Sequence, residues 1–273
     1  MLNVNQITPQ LGVEFEHGTQ VIEFSDAEVD ELKALAANKG IVVARNQNVT
    51  NQEQATFAHR LGEPFTSPID RDDIPEELIV IEADEKANQT ASQGWHSDVS
   101  SDSKPPSLSM LRIEVIPDAG GDTLFASMYR AFDTLSEPMQ AFLERLTARH
   151  DPRGHYLYLS GAKTLDELPY SIHPVVRVHP ITQRKALYVN DVFVGRIVEL
   201  SDRESSSLLK MLYDHIAYSA NIQCRVHWEP NTVVFWDNRC VQHCAAFDYF
   251  PAYRKGYRAT IRGETPCLCP VRG

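Results

Sequence analysis

Thr232-Val233-Val234-Phe235-Trp236-Asp237-Asn238-Arg239 leads to Gln242-His243, and the reading of this stretch decides the fold. Its apolar core, Val233 to Trp236, is β-branched and aromatic and lies between Asn231 and Asp237, the pattern of a strand. Working outward, similar runs stand at Ile41–Ala44, Leu78–Glu82, Leu108–Val115, Pro174–Val178, Ala186–Val189 and Tyr257–Arg262. Helix signals are fewer. Ser25 with Glu28 makes a capping-box pattern before Val29, Leu32 and Leu35, and Gly40 is the stop. Thr50 with Glu53 repeats it before Ala55, Phe57 and Leu61, ending at Gly62. Ser201 with Glu204 opens a longer run through Leu208, Leu209, Leu212 and Ile216, and a fourth helix is expected over Ala131–Leu146. These helices do not alternate strictly with the strands. The fold class expected is therefore mostly β, an antiparallel core with peripheral helices, and not a doubly wound parallel sheet. No internal repeat or Ser/Gly linker divides the chain, so residues 1–273 read as a single domain.

The composition narrows the function classes. At 273 residues, with 42% apolar and 23% charged, the chain can bury a full core. Thirteen Gly and sixteen Pro exclude a collagen-like or low-complexity chain. No apolar run approaches the roughly 18 residues of a membrane span, and Met1 leads into the polar segment Asn3–Gln10 instead of a signal region. No membrane partner is expected. Twenty-six Lys+Arg against thirty-seven Asp+Glu give 26 − 37 = −11, which disfavours broad contact with nucleic acid. The five cysteines, Cys224, Cys240, Cys244, Cys267 and Cys269, are an odd number crowded into the last fifth of the chain. They read as reduced thiols of a cytoplasmic protein, and Cys267-Leu268-Cys269 as a tail with poor zinc spacing.

Trp95-His96-Ser97-Asp98 carries the first chemical signal. On an extended segment, residues two apart face the same side, so His96 and Asp98 can present a nitrogen and an oxygen to one metal. Alone, the pair is a weak signal and reads more readily as a surface turn histidine. The downstream segment changes that reading: His243 follows the Val233–Arg239 stretch, and Asp248-Tyr249, Arg254 and Arg258 come after it. Two histidines and one carboxylate form the facial triad of non-haem Fe(II) oxygenases, which leaves three positions for an α-keto acid and O2. An arginine nearby suits the distal carboxylate of such a co-substrate.

With these residues in place, the chain resembles the taurine dioxygenase (TauD/TfdA) family of Fe(II)- and 2-oxoglutarate-dependent dioxygenases. The resemblance runs from about Leu11 to Gly263. It rests on Trp95–Asp98, Gly120-Gly121-Asp122-Thr123, His173–Pro180, Trp236–His243, Asp248-Tyr249 and the two arginines. It implies a double-stranded β-helix (jelly roll, cupin-like) and the cofactors Fe(II), 2-oxoglutarate and O2. His96, Asp98 and His243 would ligate iron; Thr123 and Arg254 would bind the far carboxylate of 2-oxoglutarate. Arg258 would face the anionic group of the primary substrate, and Phe193 falls where relatives place a pocket aromatic. His173 and His179 read as structural, and Trp95 and Trp236 as packing residues.

Departures from the family concern the substrate. Taurine-binding relatives carry a His and a Tyr shortly after the helix that here ends at Leu61-Gly62, where this chain has Ser67 and Asp70, and an Asn where it has Ser92. The segment between His150 and His173 is short and holds His155, Tyr156, Tyr158 and Tyr170, so an open, aromatic-lined pocket with Tyr156 as a substrate contact is expected. The resemblance then implies hydroxylation of a C–H bond of a small, anionic molecule other than taurine, with release of succinate and CO2. Asp98 argues against halogenation, which needs a small residue there. A biosynthetic tailoring oxygenase is the second reading and a non-catalytic metal-binding or sensor protein the third; a homo-oligomer stays open.

Overall fold

The structure is a computed structural model that describes residues 2–67, 73–87, 94–152, 162–164 and 167–268. Tyr156, expected at the substrate, lies outside these residues, as do Asp70, Ser92, His155, Tyr158 and Cys269. The first strands are β1 (Val4–Gln6), β2 (Val13–Phe15), β3 (Ile41–Ala44), β4 (Leu78–Ala83), β5 (Leu108–Val115) and β6 (Thr123–Ser127). Next come β7 (Thr147–His150), β8 (Ser171–Pro174), β9 (Val176–Val178), β10 (Lys185–Leu187) and β11 (Val194–Ile197). The last are β12 (Gln223–Val226), β13 (Thr232–Asp237), β14 (Val241–Ala245), β15 (Arg254–Thr260) and β16 (Cys267–Leu268). The helices are α1 (Asp26–Lys39), α2 (Asn51–Leu61), α3 (Met128–Asp133), α4 (Glu137–Leu143) and α5 (Asp202–Tyr218).

The Val233–Trp236 run is the spine of a seven-stranded sheet ordered β1-β2-β3-β13-β5-β15-β4. Within it β2 and β3 run parallel, while β13 pairs antiparallel with both β3 and β5. Three smaller sheets, β12-β6-β14, β10-β9-β16 and β11-β7-β8, complete the barrel. Strand side chains alternate faces, and here both faces are covered. Val233 and Phe235 enter a core with Leu32 and Ala36 of α1 and Phe57 and Ala58 of α2. Val234 and Trp236 enter the opposite core, with Phe125 of β6, Val241 of β14 and Val176 of β9. Burial on both faces explains a continuous apolar run where a half-exposed strand would alternate. The expected double-stranded β-helix with outer helices is thus observed. Among the described residues, no helix is long and apolar enough to cross a membrane.

The three capping boxes form as read. Ser25, Thr50 and Ser201 cap α1, α2 and α5, each reciprocated by its Glu. The fourth helix is corrected: Ala131–Leu146 holds two short helices, α3 and α4, parted at Thr134–Ser136. Pro138 has no N–H to donate and sits in the first turn of α4, where none is needed. Two strand readings also change. Pro174–Val178 divides into β8 and β9, which pair with different neighbours. The last strand begins earlier, at Arg254, so Arg254 and Arg258 fall on one face of β15. The tail also joins a sheet, as β16 pairs with β9.

Gly40 closes α1 with φ of 79°, and an added Cβ would meet Val241 Cγ2 at 2.6 Å and Leu11 Cδ1 at 2.7 Å. Gly40→Ala is expected to lower the unfolding free energy by about 1–3 kcal/mol through backbone strain and crowding. Urea denaturation checks this; a variant as stable as the parent would contradict it.

Candidate active site

His96 and His243 come together as a backbone pair. His96 N–H donates to the His243 carbonyl at 3.1 Å and His243 N–H to the His96 carbonyl at 2.9 Å. Residues opposed in this way send their side chains to the same face, and the imidazole centroids stand 4.2 Å apart. His96 Nδ1–H donates to the Gly94 carbonyl at 3.0 Å, which leaves Nε2 with its lone pair. The His243 ring is held by packing, stacked on Phe125 and 4.9 Å from Trp236 between centroids. Burial pushes the His96 imidazole below its usual range; burial and neighbouring His96 push His243 down to about 3. Both rings are therefore neutral near pH 7, the form that ligates metal.

Asp98 completes the set. Its Oδ1 stands 3.9 Å from Nε2 of both histidines. The three donor atoms lie within 4.8 Å of one another, all buried. Burial alone would raise the Asp98 carboxyl, but Arg258, the two histidines and the Ser109 hydrogen bond outweigh it and hold it at about 2. Two neutral imidazoles and one carboxylate in a buried cluster fit a divalent iron with open positions. The turn after Asp98 is strained: Val99, a β-branched residue, has φ of 42°, held by a bond from Asp102 N–H to its carbonyl.

The cavity beside His243 opens between β5, β6 and β15, lined by Thr123, Trp228, Trp236, Arg254, Arg258 and apolar Ile81, Leu111 and Phe125. Arg254 is 5% exposed, donates from Nε to the Gly121 carbonyl at 3.2 Å, and forms no ion pair among the described residues. Burial pushes this guanidinium down from its usual value, and a buried cation of this kind favours an anionic ligand. Trp228 Nε1–H donates to Thr123 Oγ1 at 3.0 Å, so the Thr123 hydroxyl hydrogen is left for an acceptor in the cavity. These groups fit a dicarboxylate whose far end reaches Arg254 and Thr123. Arg258 donates from Nη1 to Asp98 Oδ1 at 2.9 Å.

Phe193 is fully buried, 6.5 Å from His96 between ring centroids, and is not among the residues that line this cavity. Tyr170 is 55% exposed, with the Arg149 guanidinium over its ring, so it too lies away from the cavity lining. His173 donates to the Asp102 carbonyl, holding the loop after Asp98. His179, Asp237 and Cys240 form a second buried trio of possible ligands. There, His179 Nδ1 accepts from the N–H groups of Ile181 and Thr182, and Nε2–H donates to Asp237 Oδ2. With both nitrogens of His179 used, Arg239 clamped on Asp237 by Nε and Nη2, and the Cys240 thiol pushed up by burial, this trio reads as a structural knot. Sequence reading missed Trp228, Phe125 and Ser109 at the site; none had a local signal.

The family described as "Taurine catabolism dioxygenase TauD, TfdA family" matches residues 3–260. An alpha-ketoglutarate-dependent sulfonate dioxygenase of Saccharomyces cerevisiae is 42% identical, over 97% of this chain and 68% of that one. An alpha-ketoglutarate-dependent sulfate ester dioxygenase of Pseudomonas putida is 31% identical, over 97% of this chain and 91% of that one. The crystal structure of a taurine dioxygenase from Burkholderia xenovorans superposes with a TM-score of 0.85 at 31% identity, covering 99% of this chain and 94% of the other.

The Arg239–Asp237–His179 knot is expected to act on stability alone. Asp237→Asn removes the two-point counter-charge of buried Arg239, leaving only the 3.5 Å contact with partly exposed Glu264, and is expected to cost about 3–5 kcal/mol. Chemical denaturation in the presence of a chelator checks this; an unchanged midpoint would contradict it.

Proposed function

The chain belongs to the TauD/TfdA family and is an Fe(II)- and 2-oxoglutarate-dependent dioxygenase, and on that premise we propose that it oxidises a C–H bond of a small organic anion such as a sulfonate or an alkyl sulfate ester. The observation that carries the substrate class is Arg258, a second cationic group on the cavity that already contains buried Arg254. Two relatives named for sulfonate and sulfate ester substrates support the same class. In this reading His96, Asp98 and His243 hold Fe(II), and Arg254 with Thr123 holds the far carboxylate of 2-oxoglutarate. Arg258 spends one of its five N–H donors on Asp98 and turns others to the substrate anion. Phe193 backs His96, Tyr156 contacts the substrate, and residues 1–273 work as one domain. The free cysteines among the described residues support a reducing, cytoplasmic setting.

Bound iron with 2-oxoglutarate and O2 supplies the oxidation, releasing succinate and CO2. The chain's own contribution is placement. The His96–His243 pairing fixes the ligand geometry, the Arg254 guanidinium sets the direction of the co-substrate, and the apolar lining from Ile81, Leu111 and Phe125 keeps water from the reacting carbon. Hydroxylation at a carbon bearing sulfonate or sulfate yields a product that collapses to a carbonyl compound and sulfite or sulfate. Ser67 stands near a position where taurine-binding relatives carry a polar ligand residue, which supports a substrate other than taurine.

Succinate formation measured with Fe(II), 2-oxoglutarate and O2 across sulfonates, alkyl sulfates, phenoxyalkanoates and amino acids tests this. Coupled turnover with a sulfonate or sulfate ester is expected; uncoupled turnover with every anion would overturn the substrate class and favour a tailoring oxygenase. In the same assay Arg254→Ala is expected to cost about 2–5 kcal/mol of 2-oxoglutarate affinity, with Arg254→Lys in between because it cannot pair bidentately. An unchanged 2-oxoglutarate requirement would remove Arg254 from the co-substrate site.

A further inference from the structure

A closed ring of hydrogen bonds lies behind Asp98. Asp98 N–H donates to Asn238 Oδ1 at 3.2 Å, Asn238 Nδ2 donates to Ser109 Oγ at 2.9 Å, and Ser109 Oγ–H donates to Asp98 Oδ2 at 2.9 Å. The direction of the ring is set from outside by Trp236. Its Nε1–H, a donor with no acceptor capacity, bonds Asn238 Oδ1 at 3.1 Å. The indole thus fixes the amide with oxygen towards Asp98 N–H and NH2 towards Ser109. Ser109 Oγ, already accepting from that NH2, turns its one hydrogen to Asp98 Oδ2. Ser109 and Trp236 are opposed across the β5–β13 pair, so the sheet register itself brings hydroxyl and indole to the same amide. Ser109 is 0% exposed, Trp236 and Asp98 1% each, and Asn238 2%, so no bulk water competes for these groups.

We infer that Ser109 and Asn238 are positioning residues that close Oδ2 of Asp98 and leave Oδ1 as its only ligating atom. The geometry on the other side agrees: Oδ1 is the atom 3.9 Å from both histidine Nε2 atoms, and although it accepts from Arg258 Nη1 at 2.9 Å it keeps a further lone pair on the histidine side. A carboxylate free to rotate or to ligate with both oxygens would occupy a position that the co-substrate needs. The ring therefore protects an open coordination position as well as the orientation of the ligand. This inference rests on the reading of His96, Asp98 and His243 as the metal site.

The test is Mn(II) binding, followed by electron paramagnetic resonance on chelator-treated full-length protein, for the parent, Ser109→Ala and Asn238→Asp. Ser109→Ala removes the hydrogen bond to Oδ2. Asn238→Asp keeps the shape but replaces the NH2 donor with an acceptor that draws the Ser109 hydrogen away from Asp98. Both are expected to bind Mn(II) about 10–100-fold more weakly than the parent. The Co(II) visible spectrum is expected to change in both, and the thermal midpoint in chelator to stay within a few degrees of the parent. A parent that binds one Mn(II) and variants that match it within twofold would overturn the inference and leave the metal site standing. Weakened binding matched by a large drop in the chelator midpoint of both variants would make the ring merely structural and overturn it as well. A parent that binds no Mn(II) would overturn the metal-site reading on which the inference rests.

Discussion

Two reciprocal backbone hydrogen bonds between His96 and His243 are the constraint on which the site depends. They join segments distant in sequence and set two imidazoles side by side before any side-chain interaction is counted. The pairing of β14 with β6 then carries Thr123 to the same neighbourhood, since Thr123 opposes Ala245 two residues beyond His243. On the other side of the cavity, the pairing of β15 with β5 sets Arg258 opposite Leu111. A one-residue slip in any of these registers would turn the functional side chain to the opposite face. Register is fixed by the two cores, because β3, β13 and β5 each have apolar residues buried in both.

Burial does the electrostatic work. It drives both histidines towards their neutral form, while Arg258 and Ser109 keep Asp98 ionised against the same desolvation. The outcome is a ligand set with two neutral nitrogens and one negative oxygen. Arg254, buried beside it without an ion pair among the described residues, is a fixed positive charge suited to an anionic ligand. The neighbouring knot of His179, Asp237 and Arg239 also holds a histidine and a carboxylate, yet both His179 nitrogens and both Asp237 oxygens are already hydrogen-bonded.

Much of this was legible in the sequence where the signal is local. Capping boxes span three residues and were read at α1, α2 and α5; His96 and Asp98 are two apart and do meet, although only His96 lies in a β-bridge and Asp98 stands in a turn. What depends on distant pairing was not legible. Ser109 reaches Asp98 across 11 positions and Trp228 reaches Thr123 across 105, and neither Ser nor Trp is unusual where it stands. The contact between Arg258 and Asp98 spans 160 positions, so the order of residues along the chain gave the arginine but not its partner. β6 and β14 were overlooked because Gln242 and His243 interrupt the apolar pattern of β14, and β6 offers only Leu124–Ala126 between Thr123 and Ser127. The break between α3 and α4 had a visible cause in Pro138, which apolar periodicity across the break concealed.

In the proposed reading one buried cluster, His96, Asp98 and His243, holds the metal, with the co-substrate extending to Arg254. A crystal structure of the protein with Mn(II) and 2-oxoglutarate bound under anaerobic conditions tests it most directly. One metal ligated by His96 Nε2, Asp98 Oδ1 and His243 Nε2, with the far carboxylate of 2-oxoglutarate on Arg254 and Thr123, is the expected result. A metal seated on His179, Asp237 and Cys240, or 2-oxoglutarate turned away from Arg254, would contradict it.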